Sequence, residues 1–171
     1  MATAGLSNDA FYRHFPSKDA LVAAILEDGT ERLGSYLAHQ MAKEATPKAK
    51  VRAWVEGVLA QAVDEDSAST TLAVLWNAGS VGAAFGSGHL AASTPLASLL
   101  REPFAQLGSP DPDLDASLAA HTTVGKLSEH LWHRTKPSDN EIAHIVELWL
   151  RAVTSRSAPP VVAPSTQGSF R

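Results

Sequence analysis

Ala4-Gly5-Leu6-Ser7-Asn8-Asp9-Ala10-Phe11-Tyr12-Arg13-His14-Phe15-Pro16-Ser17-Lys18-Asp19-Ala20-Leu21 is the most informative stretch of this 171-residue chain. Gly5 permits the tight turn between two helices that a helix-turn-helix unit needs. Ser7 is placed to cap a short helix over residues 8–14. Leu6, Ala10, Phe11 and Phe15 are spaced to face a core, so Asn8, Asp9, Tyr12, Arg13 and His14 point outward. Amide, phenol, guanidinium and imidazole groups on one short helix suit a DNA groove: Asn reads base edges, and Tyr and His bond phosphates. Ser17 caps the next helix. Lys18, in its first turn, adds a cation where free backbone N–H groups already favour a phosphate.

Working outward, the apolar spacing is helical throughout, and β-branched residues never gather into strand-like runs. The spacing predicts an all-α protein. One helix runs from Ser17 to about Ala42 through Leu21, Ile25, Leu33 and Leu37, weakened by Gly29 and Gly34 to the point where a bend is allowed. Thr46 caps a helix that has Pro47 at its first position and ends near Asp64. Another starts at Ser67 or Ser69 and fades at Gly79; residues 81–93 are Gly-rich and ambiguous. Pro95 opens a helix through Phe104. Asp111 or Asp113 starts a long helix through Trp132, and Ser138 caps a last one through Val153. Residues 157–171 carry Pro159, Pro160 and Pro164 and read as a disordered tail.

The long helix has two apolar sides. Leu114, Leu118, Thr122, Gly125 and Trp132 line one, and Ala120, Val124, Leu127 and Leu131 the other. In the last helix Ile142, Ile145, Trp149 and Val153 form a stripe. A helix apolar on two sides must be covered on both. Either both helices are central in one bundle, or a partner covers the second side. Small residues at Ala119, Ala120 and Gly125 would admit a close neighbour, which makes Leu118, Thr122, Gly125, Trp132, Ile142, Ile145, Trp149 and Val153 the expected dimer interface.

Composition narrows the function. There are no cysteines, which excludes disulfide scaffolds, thiolate metal sites and a cysteine nucleophile. The net charge of -4 confines any nucleic-acid contact to a local patch. No apolar run has membrane-spanning length and no signal peptide is recognisable, so a cytoplasmic protein without membrane contact is expected.

The front motif resembles the tetracycline-repressor (TetR) family of bacterial transcriptional regulators. The resemblance rests on Ala4-Gly5-Leu6-Ser7 at the turn, Phe11-Tyr12-Arg13-His14-Phe15 closing the recognition helix, and Ser17-Lys18-Asp19-Ala20-Leu21 opening the connecting helix. It implies a homodimer whose helix-turn-helix units enter the major grooves of a palindromic double-stranded operator, with C-terminal helices for dimerisation and for a small-molecule effector. By position, Ser7, Tyr12, His14 and Lys18 match phosphate contacts, and Asn8 and Asp9 match positions that meet bases; Arg13 completes the DNA patch. The implied layout is a partial DNA-binding region with connecting helix at 1–40, a helical ligand-binding and dimerisation domain at 41–156, and the tail. Only Ala2-Thr3-Ala4 precedes the turn, so the chain is expected to be an N-terminally truncated member, lacking the first helix and most of the second. The alternative is a helical protein that dimerises or binds a small molecule without binding DNA itself.

Other constellations are weaker. Glu141-Ile142-Ala143-His144 is a Glu-x-x-His unit of the di-iron kind, but no second one exists. His130 and His133 share a helix face and no ligand set with them. Residues 79–88 are Gly-rich but lack the Lys-Ser/Thr ending of a phosphate loop. No metal, cofactor or catalytic residue is expected, and no enzyme. Trp54, Trp76, Asn77, Phe85, Phe104 and His121 are candidate pocket walls; the mid-chain has no charged cluster, which favours an uncharged or aromatic effector.

Overall fold

A computed structural model describes residues 17–63 and 88–156. Every element there is helical, and no strand occurs among the described residues. The described residues are all-α, as the apolar spacing predicts.

Ser17 sits in extended backbone and its Oγ accepts from the Ala20 N–H at 3.1 Å, opening α1 (Lys18–Ala42). Gly29 and Gly34 lie inside α1, which runs through both as one helix. Thr46 Oγ1 accepts from the Ala49 N–H at 3.2 Å, and Pro47 opens α2 (Pro47–Leu59), which tightens into a 3₁₀ turn at Ala60–Ala62. Asp64, where this helix was expected to end, and the helix expected from Ser67 to Gly79 lie outside the described residues.

The next helix corrects the sequence reading. α3 spans Gly88–Gln106, so Pro95 does not open it; Pro95 and Pro103 both lie inside. A proline removes its own N–H and the bond to the carbonyl one turn back, a local cost of roughly 3 kcal/mol. Here Leu96, Leu100 and Phe104 are buried, and that apolar burial outweighs the missing bonds. α3 ends at a glycine turn. Gly108 has φ 86°, its N–H donates to the Ala105 carbonyl, and the Ser109 N–H reaches back to Phe104 O, each at 3.0 Å. That pair is the Schellman arrangement, which needs the left-handed conformation glycine adopts cheaply.

Asp111 Oδ1 accepts from the Leu114 N–H at 3.1 Å and opens α4 (Pro112–His133). Arg134 closes it in left-handed backbone, φ 53°. Ser138 Oγ accepts from the Glu141 N–H at 3.2 Å and opens α5 (Asp139–Arg156).

α2 is the central element. It packs on α1, α3, α4 and α5; α3 lies along α4, while α5 rests chiefly on α2 and only lightly on α4. The core joins Leu37 and Met41 of α1, Trp54, Val55 and Val58 of α2, and Leu100 and Phe104 of α3. α4 adds Ala120, Val124, Leu127 and Leu131, and α5 adds Val146 and Val153. Trp54 carries a long-range side-chain bond of this buried layer: its Nε1–H donates to Leu96 O of α3 at 3.0 Å. A buried indole N–H needs such a partner.

Candidate functional site

Most of the set expected to contact DNA, Ser7, Asn8, Asp9, Tyr12, Arg13 and His14, lies outside the described residues. Lys18 is the first residue of α1. Ser17, by capping α1, fixes where that helix starts relative to the motif. The far half of α1 is anchored: Leu37 and Met41 are core residues, and α1 packs on both α2 and α3. A continuous helix therefore leads from the edge of the motif into the core.

The pocket candidates separate. Trp76, Asn77 and Phe85 lie outside the described residues. Trp54 and Phe104 are fully buried among core side chains. His121 is half-buried on α4, and its Nδ1 stands 2.7 Å from Ser117 O. A carbonyl only accepts, so Nδ1 carries the hydrogen.

The interface candidates also separate by helix. Leu118, Thr122, Gly125 and Trp132 of α4 are exposed, as is Leu114 on the same side. Ala119 and Ala120 are buried against the chain's own body, so of the small residues singled out only Gly125 faces solvent. On α5, Val153 is inside the core, and Ile142, Ile145 and Trp149 are half-buried against it. Leu148, which lies off that stripe, is the exposed large apolar residue of α5. α5 turns its stripe inward because α2 is there to receive it.

Between α4 and α5 lies a charged cluster that the sequence reading missed. Lys126 Nζ contacts Glu129 Oε2 at 2.9 Å and Glu141 Oε1 at 3.1 Å. The Glu141 carboxylate also accepts from His130 Nε2–H at 2.9 Å, and His130 Nδ1 lies 2.8 Å from the Thr135 hydroxyl. His130 itself is buried. Burial pushes the Glu141 carboxyl up, but hydrogen bonds and charge from Lys126 and His130 outweigh it and hold the group below its ordinary 4.5. The same bonds, first to Glu129 and then to Glu141, raise Lys126. His130 and Glu141 are joined across the α4–α5 turn, a separation no helical period reports. Among the described residues, no group of three or more His, Cys, Asp or Glu is placed to hold a metal.

A depressed carboxyl stabilises the fold above its unfolded value, and the contribution fades as pH falls through the native one. Glu141→Gln is therefore expected to lower stability by about 1 kcal/mol near neutrality. The gap between variant and native protein should begin to narrow near pH 4.5 and close only as pH falls through the lower value of the native carboxyl, where both side chains are neutral. Urea titrations at the two pH values measure it; a gap that persists in acid would locate the effect in packing.

Residues 1–25 match the family model of bacterial regulatory proteins, tetR family. The N-terminal segment is similar to that of TetR-family regulators. The matched segment takes in the whole quoted motif from Ala4 to Leu21 and the opening of α1. No curated protein and no solved structure matches the chain. TetR-family proteins are DNA-binding regulators and not enzymes. No helix among the described residues is long and apolar enough to cross a membrane.

Proposed function

We propose that this chain is a ligand-responsive transcriptional regulator of the TetR type, a repressor that acts in the cytoplasm as a homodimer on a palindromic operator. The observation that carries the reading is the family match over residues 1–25, which contains Ser7 to Lys18. In this reading residues 8–14 form the recognition helix and residues 41–156 bind the effector and the second subunit. Effector binding alters the packing around α2, α1 carries the change to the motif, and the spacing of the two recognition helices shifts off the operator. An uncharged or aromatic effector suits the apolar character of the body.

An electrophoretic mobility shift on the DNA flanking the protein's own coding sequence tests it. A salt-sensitive, sequence-specific complex is expected. Asn8→Ala should weaken that complex by about 1–2 kcal/mol and relax base preference at one position. Lys18→Ala should weaken all sequences alike and lower the salt slope by about 1. A chain that dimerises yet shifts no DNA would instead be a helical dimerisation or ligand-binding module.

A further inference from the structure

α5 is tied to α4 by charge and hydrogen bonds more than by apolar contact. Its apolar stripe lies against the core, it rests chiefly on α2, and it touches α4 only lightly. The tie is made at the corner between the two helices. Arg134 is held there in left-handed backbone, φ 53°, a conformation that costs any residue with a side chain. His130 clamps this corner. Its carbonyl accepts from the Arg134 N–H and from the Thr135 N–H, the latter at 3.0 Å, and its Nδ1 lies 2.8 Å from the Thr135 hydroxyl. His130 Nε2 and Lys126 Nζ then reach across to the Glu141 carboxylate of α5, at 2.9 Å and 3.1 Å, on different oxygens.

Glu141 has a second place to go. Ser138-Asp139-Asn140-Glu141 has the Ser-x-x-Glu order of a capping box. In that motif the cap hydroxyl takes the N–H three residues on, and the carboxylate three residues on takes the N–H of the cap. Only the first half is formed: Ser138 Oγ accepts from the Glu141 N–H at 3.2 Å. The Ser138 N–H has no partner among the described residues. The Glu141 side chain is 26% exposed, so packing does not lock it in place. Rotation about its own torsions carries the carboxylate from the α4 donors to the Ser138 N–H. It cannot satisfy both, because the first position occupies both its oxygens.

We infer that the α4–α5 corner is a two-position joint with Glu141 as its moving part. In one position the carboxylate latches α5 to α4 through Lys126 and His130. In the other it closes the capping box on Ser138, and α5 is left resting on α2 and untied from α4.

Glu141→Gln separates the two positions. A glutamine closes a capping box as a glutamate does, but it brings no charge to Lys126. Amide hydrogen exchange followed by NMR on the full chain near neutral pH reads both ends. The Ser138 amide is expected to exchange about fivefold more slowly, the effect of gaining one hydrogen bond. The Val146 amide, on the buried side of α5, is expected to exchange about fivefold faster as the untied helix opens more often. Lys126→Met removes the latch from the α4 side, on a residue 35% exposed, and should move both amides in the same two directions. Glu141→Ala can make neither bond, so Val146 should speed up with Ser138 unchanged. A purely structural role for Glu141 would never slow Ser138. Ser138 unslowed in both Glu141→Gln and Lys126→Met overturns the second position. Val146 unchanged in both overturns the latch.

Discussion

Trp54→Ala is expected to lower the unfolding free energy by about 3–5 kcal/mol, the range for removing a large aromatic from a packed core. Trp54 is 0% exposed and sits on α2, the helix that touches every other described helix. Truncation empties a volume bounded by several elements at once, so no single neighbour can relax into it. It also removes the Nε1–H bond to Leu96 O that ties α2 to the proline-containing helix α3. A chain of this size loses roughly 2–4 °C of melting temperature per kcal/mol, so the fall should be of the order of 10 °C. Trp54→Phe separates the two contributions: it keeps most of the volume and loses the hydrogen bond, so a loss of about 1–2 kcal/mol is expected. Thermal unfolding followed by circular dichroism reads both. A melting temperature unchanged by Trp54→Ala would mean that this residue lines a cavity and is not packed in the core.

Gly57→Val is expected to cost about 3 kcal/mol, the upper end for overpacking. Gly57 is buried where α2 crosses α1. A Cβ there would stand 2.5 Å from Leu37 Cδ2 and 3.3 Å from Tyr36 Cε1. Leu37 is itself 0% exposed, so it has no room to turn aside and α1 must move off. Because α1 leads to the motif at the N-terminus, the displacement should also weaken DNA binding. Gly29→Ala is the matched control: nothing lies within 4 Å of that position, and the better helix former should gain about 1 kcal/mol. Denaturant midpoints of the two variants should move in opposite directions; equal shifts would show that the α1–α2 crossing is not tight at Gly57.

The helix starts were legible because their chemistry is local. Ser17, Thr46, Asp111 and Ser138 each accept a backbone N–H three residues on, and that bond needs only the cap and its own helix. The start of α3 was not. Pro95 and Pro103 are local breakers, and they were overruled by burial of Leu96, Leu100 and Phe104 against helices far away in sequence. Side-chain placement divides likewise. Leu114, Leu118 and Trp132 separate from Val124, Leu127 and Leu131 by periodicity alone, but periodicity does not say which side faces in. Trp54 and Phe104 have the spacing of core residues and of pocket walls equally, and only their neighbours distinguish the two.

The amino-acid order alone was enough for the helical class, the cap residues and the front motif with its TetR resemblance, because each depends on contacts within a few residues. The three-dimensional packing decided which face of α4 meets solvent, that α5 turns its stripe toward α2, and that His130 pairs with Glu141 and Lys126. Those outcomes follow from burial and charge pairing between segments that only the fold brings together, and burial of that kind is strong enough to carry a helix through two prolines.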